Sequence, residues 1–169
     1  MLQADISSAF LHGRLSSPVY FHLPMGHPLY GRNNLCYKSN AAVYGLKNSG
    51  RIWYLHFTSF LKQYGFIESR TCPGMLYLPA ENSLPTVYLC LYVDDFLLAS
   101  KSKERLQQIR KYVLDNFPAK FTDEVNDFVG LSIQKTGNEV LLHQKKMIEK
   151  LSKQYEINGE LPQIPMLET

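Results

Sequence analysis

Apolar side chains recur along this chain at two different periods, and the change from one to the other marks out its elements. From Asn48 to Tyr64, the residues Trp53, Phe57, Phe60, Leu61 and Tyr64 fall at i, i+4, i+7, i+8 and i+11, with Gly65 behind them. That spacing predicts an amphipathic helix closed by a glycine. Thr86 to Val93 is rich in β-branched and aromatic residues, and Phe96 to Ala99 resumes the run after Asp94 and Asp95. Two strands joined as a hairpin, with both aspartates at its tip, are expected. Lys103 to Asn116 sets Leu106, Ile109 and Val113 on one face and stops at Phe117 and Pro118, the pattern of a second helix ending before a proline. Phe128 to Gln134 and Val140 to His143 read as strands around the turn Lys135 to Asn138, and Met147, Ile148, Leu151 and Tyr155 predict a last helix. Leu2 to Asp5 reads as the tail of a strand, while Tyr20 to Leu23 and Leu35 to Lys38 read as short strands around the loop Pro24 to Asn34. The stretch holding Pro162 and Pro165 reads as a tail. Helices interleaved with antiparallel strands point to an α+β fold, a sheet with helices on one face in the split βαβ or ferredoxin-like layout.

Composition narrows this picture without deciding it. With 169 residues, 45% of them hydrophobic, the chain can bury one sizeable core. A net charge of +3 is compatible with nucleic-acid binding but is far from the footprint of a strongly basic binder. Cys36, Cys72 and Cys90 are odd in number and form no C-x-x-C pair, which argues against a disulfide framework and a zinc knuckle and favours a reducing compartment. The N-terminus has no signal-peptide pattern, and the apolar runs fall short of a membrane span. A strand that opens almost at the first residue reads as a cut in a longer chain.

The chemistry concentrates in Tyr92-Val93-Asp94-Asp95. Two adjacent carboxylates between apolar strands repel each other unless a cation lies between them, and a hard divalent ion is the natural partner. Aspartate is also a favoured turn residue, so the pair alone reads more readily as a plain turn than as a metal site. Asp5 ends the first strand and is followed by Ile6-Ser7-Ser8-Ala9-Phe10-Leu11-His12-Gly13. This block resembles the first catalytic block of copia-type retrotransposon reverse transcriptases, approximately Leu-Asp-Val-Lys-Asn-Ala-Phe-Leu-His-Gly. Pro18-Val19-Tyr20 with Leu23-Pro24-Met25-Gly26, and Val43-Tyr44-Gly45-Leu46-Lys47 with Arg51-Ile52-Trp53-Tyr54, are similar to two further blocks of that family. Leu91 to Asp95 resembles its polymerase signature, Asp127 to Leu131 its Y-F-L-G-I strand, and His143 to Ile148 its S-Q-x-K-Y-I helix start. The agreement is collinear over nearly the whole chain.

That resemblance implies a reverse-transcriptase palm with fingers and thumb incomplete: residues 1–143 as palm with partial fingers, and 144–169 as the start of the thumb or connection. It implies RNA-directed DNA polymerase activity, in which a primer 3′-hydroxyl attacks the α-phosphorus of a deoxynucleoside triphosphate with two Mg²⁺ ions, or Mn²⁺ in their place. It makes Asp5, Asp94 and Asp95 the catalytic and metal-binding carboxylates, with the Ile6 carbonyl as a further metal ligand. Ile6, Phe10, Asn48 and Tyr92 would bind the nucleotide, Phe10 acting as a gate against the 2′-hydroxyl. Phe128, Val129, Gly130, Lys145 and Lys146 would contact primer and template, although Phe128 to Leu131 also reads as an ordinary strand. Lys145, Lys146, Lys150 and Lys153 form a basic stripe, and a merely solvated face explains such a stripe as readily. Implied partners are an RNA or DNA template-primer, the nucleotide, and the integrase and RNase H segments of a parent polyprotein, with no membrane. The implied setting is cytoplasmic, a virus-like particle in an intact element, with the nucleus as the alternative. Asn48 replaces the family's usual glutamine, Ser49-Gly50 replaces Ala-Pro, and Arg70-Thr71-Cys72-Pro73 occupies a loop where the family carries an aspartate. Two other readings follow from these departures and from the missing flanks: a truncated relic that keeps the fold without turnover, and a ferredoxin-like binding module whose aspartates only form a turn. On the polymerase reading, this segment alone is expected to extend a primer poorly, since positioning is most of phosphoryl transfer.

Overall fold

The computed structural model describes residues 1–32, 34–137 and 139–155; the expectations for Asn138 and for the tail around Pro162 and Pro165 fall outside them. The chain divides into two compact units, Met1–Glu124 and Val125–Thr169. Three α-helices and antiparallel sheets among the described residues make it a mixed α and β chain, the class that the patterning predicts.

In the first unit, strand β1 (Leu2–Ile6) leads through a 3-10 turn (Ala9–His12) into the hairpin β2 (Arg14–His22) and β3 (Cys36–Ala41). Helix α1 (Ser49–Tyr64) follows, then β4 (Ile67–Glu68), β5 (Met75–Leu78), β6 (Val87–Tyr92), β7 (Asp95–Ala99), helix α2 (Lys103–Leu114) and β8 (Ala119–Thr122). Six of these strands form one antiparallel sheet in the order β4-β5-β6-β7-β1-β8, and β2 pairs with β3 apart from it. The order puts β1 between β7 and β8, so the chain's first strand is an interior one.

Alternation along the strands decides what each face holds. In β6, Val87, Leu89 and Leu91 are buried while Tyr88, Cys90 and Tyr92 are exposed. The register places Leu89 opposite both Leu76 and Leu98, and Phe96 opposite both Leu91 and Ala4, so the buried residues of four strands line a single face. Trp53, Phe57 and Leu61 of α1 and Leu106, Ile109 and Val113 of α2 close over that face in one apolar cluster. Phe60 and Tyr112 stack at 4.3 Å between ring centroids and join the two helices. Helix α1 ends where the spacing predicts, with Gly65 at φ 110° and its N–H on Lys62 and Leu61 carbonyls. Helix α2 starts at Ser102, whose hydroxyl accepts the Arg105 N–H. Gly13 is where the 3-10 turn meets α1: a methyl group there would lie 2.8 Å from Ile52 Cγ2.

The second unit holds β9 (Asp127–Phe128), β10 (Leu131–Thr136), β11 (Glu139–His143) and helix α3 (Lys145–Gln154), with the strands in the order β11-β10-β9. Here the structure corrects the single strand expected from Phe128 to Gln134. Val129 and Gly130 have φ of 48° and 76°, so the chain reverses at a two-residue turn and Phe128 pairs with Leu131. A valine gives no turn signal, which is why alternation ran through it. The hairpin β2 and β3 is longer than its expected strands, and β4, β5 and β8, of two to four residues, are too short to stand out by period.

Phe57 is fully buried, stacked 5.0 Å from Trp53 and edge-on to Phe117 at 5.5 Å. Replacing it with alanine is expected to destabilise the chain by about 3–5 kcal/mol, read as a lower urea midpoint in far-UV circular dichroism. A loss under about 1 kcal/mol would mean that the layer between α1 and the sheet is not the core.

Candidate active site

Strand β1 carries Ala4 and Ile6 into the core, so Asp5 between them is exposed on the opposite, open face of the sheet. Strand β7 begins at Asp95, and Phe96 points into the core. The antiparallel register pairs Asp5 with Asp95 and Asp95 with Tyr92, so the two carboxylates face one another on neighbouring strands. Asp94 is held beside them by the main chain, since the Ile6 N–H donates to the Asp94 carbonyl at 2.9 Å. The structure thus brings together Asp5, Ile6, Tyr92, Asp94 and Asp95, residues from two segments far apart in sequence.

The hairpin tip differs in one respect from the expectation. Asp95 is the first residue of β7 and pairs with Tyr92, leaving Val93 and Asp94 as the turn. Val93 has φ 55°, a left-handed conformation that is a true outlier for a β-branched residue. It is also 41% exposed, so burial does not offset its strain. The buried Trp53 of α1 donates its indole N–H to the Val93 carbonyl at 2.6 Å.

Charge on this face is uneven. The Asp95 carboxyl is pushed above the usual carboxylate range, first by partial burial and then by the like charges of Asp5 and Asp94. On the other side of β1, Lys120 of β8 stands in register with Asp5. A cleft of about 190 Å³ is lined by Gln3, Asp5, Asp95, Lys120 and Thr122, among others. Among the described residues no group of three or more His, Cys, Asp or Glu side chains is arranged to hold a metal ion unaided. The aspartates form an open acidic rim, not a closed cage.

The remaining expected residues are not among those that the β1–β7 pairing brings together. Phe10, in the 3-10 turn, is half-buried, its ring 4.5 Å from that of Tyr44. Asn48 stands exposed at the start of α1 with no side-chain capping bond. Phe128, Val129, Gly130, Lys145 and Lys146 belong to the second unit. There Phe128 is buried and Val129 exposed. Lys146 donates to Asp127 at 2.6 Å and holds that carboxyl below its usual range, with help from Ser132. Lys145 lies 4.0 Å from Glu149. Sequence reasoning did not single out Lys120, whose only signal is a four-residue alternation after Pro118, and it read Trp53 only as a core and motif residue.

The raised Asp95 pKa fixes the sign of a pH effect. A carboxyl that holds its proton more tightly folded than unfolded destabilises the fold once ionised; the penalty is absent below the ordinary carboxylate pKa and grows as pH rises through the raised one. Asp95→Asn is therefore expected to stabilise the chain at pH 7, by no more than about 1 kcal/mol because solvent screens a largely open group. The advantage should fade as the pH is lowered into the ordinary carboxylate range in paired urea titrations. An Asp95→Asn variant no more stable than the parent at pH 7 would overturn the crowding of like charge.

Comparison with known proteins gives the family of the chain. The family described as Reverse transcriptase (RNA-dependent DNA polymerase) matches residues 1–168. The retrovirus-related Pol polyprotein from transposon TNT 1-94 of Nicotiana tabacum is 29% identical over 163 residues, covering 95% of this chain and 12% of that protein. The corresponding polyprotein from transposon RE1 of Arabidopsis thaliana is 30% identical over 146 residues, covering 86% of this chain and 10% of that protein. The Transposon Ty1-DR1 Gag-Pol polyprotein of Saccharomyces cerevisiae is 32% identical over 161 residues, 89% of this chain and 9% of that one. The chain thus spans about a tenth of these relatives' length, and acidic residues that the sheet sets face to face fall in blocks that the family match covers. It belongs to the reverse transcriptase (RNA-dependent DNA polymerase) family, as a fragment of the copia type.

Proposed function

We propose that this chain carries the catalytic centre of an RNA-directed DNA polymerase that adds deoxynucleotides to a primer 3′-hydroxyl, and that its first unit holds the main sheet of the polymerase palm. On this reading the six-stranded sheet with α1 and α2 on one face is the ferredoxin-like split βαβ core, with fingers and thumb incomplete. Residues 1–143 are then palm with partial fingers and 144–169 the start of the thumb or connection, a division by role and not by compactness. The observation that carries the proposal is the pairing of Asp5 with Asp95 across β1 and β7, with Asp94 latched beside them.

The donor set fits two Mg²⁺ ions, or Mn²⁺, held by Asp5, Asp94, Asp95 and the Ile6 carbonyl. All these donors are oxygen, which suits a hard cation, and such a cation relieves the like-charge repulsion that adds to partial burial in raising Asp95. An open rim also suits magnesium, which keeps waters and shares its ligands with substrate phosphates. When bound, the ions lower the pKa of the attacking hydroxyl and neutralise the triphosphate. The chain's own residues supply position: Asp5 and Asp94 fix the site from two strands, and Asp95 adds charge from its half-buried side. Phe10 walls off the 2′-hydroxyl, Asn48 and Tyr92 flank the nucleotide, and Phe128, Val129, Gly130, Lys145 and Lys146 contact the primer-template. The partners are a template-primer of RNA or DNA, the nucleotide, and the integrase and RNase H segments of the parent polyprotein, in a cytoplasmic particle or in the nucleus. No membrane partner is proposed, and no helix among the described residues is long and apolar enough to cross one.

Asn48, exposed and without a capping bond where the family has glutamine, favours a second reading, a relic that keeps the fold and its cation site without turnover. Two experiments separate the readings. Added Mn²⁺ is expected to broaden the resonances of Asp5, Asp94 and Asp95 together and to do so more weakly in Asp94→Asn; broadening confined to distant residues would end the shared-site proposal. Within a longer Pol segment, primer extension is expected to disappear with Asp94→Asn. Cation binding without any extension would select the relic.

The gate role has its own test in that longer segment. Phe10→Ala is expected to raise ribonucleotide incorporation relative to deoxynucleotide by roughly tenfold or more, the scale on which a pocket discriminates by shape and hydroxyl burial. Unchanged discrimination would remove Phe10 from that role.

A further inference from the structure

We propose that Trp53 is a positioning residue for Asp94: its indole N–H, through the Val93 carbonyl, fixes the strained turn that presents that carboxylate. The inference rests on the polymerase reading only for its consequence, not for the latch itself.

The argument is one of peptide planes. The Val93 carbonyl and the Asp94 N–H share one planar unit, and the Asp94 carbonyl and the Asp95 N–H share the next. Trp53 holds the first plane by its 2.6 Å bond to the Val93 carbonyl, and Ile6 holds the second by its 2.9 Å bond to the Asp94 carbonyl. With both planes set, φ and ψ of Asp94 are set too, so its Cα–Cβ bond leaves the turn in a direction held from two different elements, α1 and β1. The turn needs such a hold, because Val93 at φ 55° sits in a region that a β-branched residue avoids, and it is too exposed for burial to keep it there.

The donor is itself immobilised. Trp53 is 1% exposed. Its ring stacks on Phe57 at 5.0 Å and meets Phe117 edge-on at 5.7 Å, with His12 at 6.1 Å and His56 at 6.2 Å completing the enclosure. A buried indole N–H ordinarily takes whatever acceptor is near. What sets this one apart is that its acceptor is the single carbonyl between a strained residue and an acidic one, 40 positions away in sequence.

The test uses the fact that the chain has only one tryptophan. Growth on β-(3-benzothienyl)alanine replaces the indole N–H by sulfur at this residue alone and keeps the shape of the ring, and Trp53→Phe is the encoded counterpart. In the metal-free chain, either change is expected to lower the order parameters of the Val93 and Asp94 amides from roughly 0.85 towards 0.6, while the amides of α1 stay rigid. Mn²⁺ affinity, measured by water proton relaxation, is expected to fall roughly fivefold to tenfold, about 1 to 1.4 kcal/mol. A rigid tip and unchanged affinity in the folded sulfur-substituted chain would overturn the proposal. Failure of the polymerase reading looks different: the tip loosens as expected, but Asp94→Asn leaves Mn²⁺ binding as it was.

Discussion

The structure around the site depends on one constraint, that the first strand of the chain lies between β7 and β8 in an antiparallel sheet. Register in such a sheet is all or nothing: a slip by one residue would turn Ala4 and Ile6 out of the core and Asp5 into it. The apolar residues of β1 therefore fix where its carboxylate stands, and the same argument from Phe96 and Leu98 fixes Asp95. Two like charges are placed opposite each other because their neighbours are hydrophobic, with nothing in the pair itself favouring the contact.

The cost of that arrangement is spread over the surrounding elements. Partial burial and the neighbouring aspartates raise Asp95, while Lys120 faces Asp5 from the other side and leaves the rim less acidic than its three carboxylates suggest. Helix α1 braces the tip from beneath through Trp53, and its own place against the segment that follows β1 is kept by the close approach at Gly13. Helix α2 reaches the same core through Ile109 and Val113 and stacks on α1 through Tyr112 and Phe60. Geometry at the rim is in this sense a property of the whole helix-on-sheet layer, as preorganised sites require.

Much of this was legible in the sequence wherever a period could be counted. The sixteen residues of α1 and the alternating β6 announce themselves, and with them the side of the hairpin that is buried. The three aspartates were legible from collinear motifs, since spacing alone makes a bare Asp-Asp more readily a turn. Two features were not legible, for the same reason. Val93 and Val129 both occupy left-handed turns, and valine, a strand former, signals the opposite. Tertiary contacts overrule local preference at each place, so the tip was set one residue too far on and a hairpin was read as one strand. Lys120 escaped because β8 has only four residues, and the partner of Trp53 because no sequence pattern records a hydrogen bond to a main-chain carbonyl.

The ends of the six-stranded sheet carry a consequence of another kind. An unpaired strand edge invites another chain to add to it and so nucleates aggregation. Within this unit one end is β4, two residues long, with Glu68 bonded to Lys62, and the other is β8, four residues long, preceded by Pro118 and bearing the exposed Lys120. Both borders are short and charged, the features by which natural sheets refuse further strands. The strand that carries Asp5 lies one place in from the border, where its register is held from both sides.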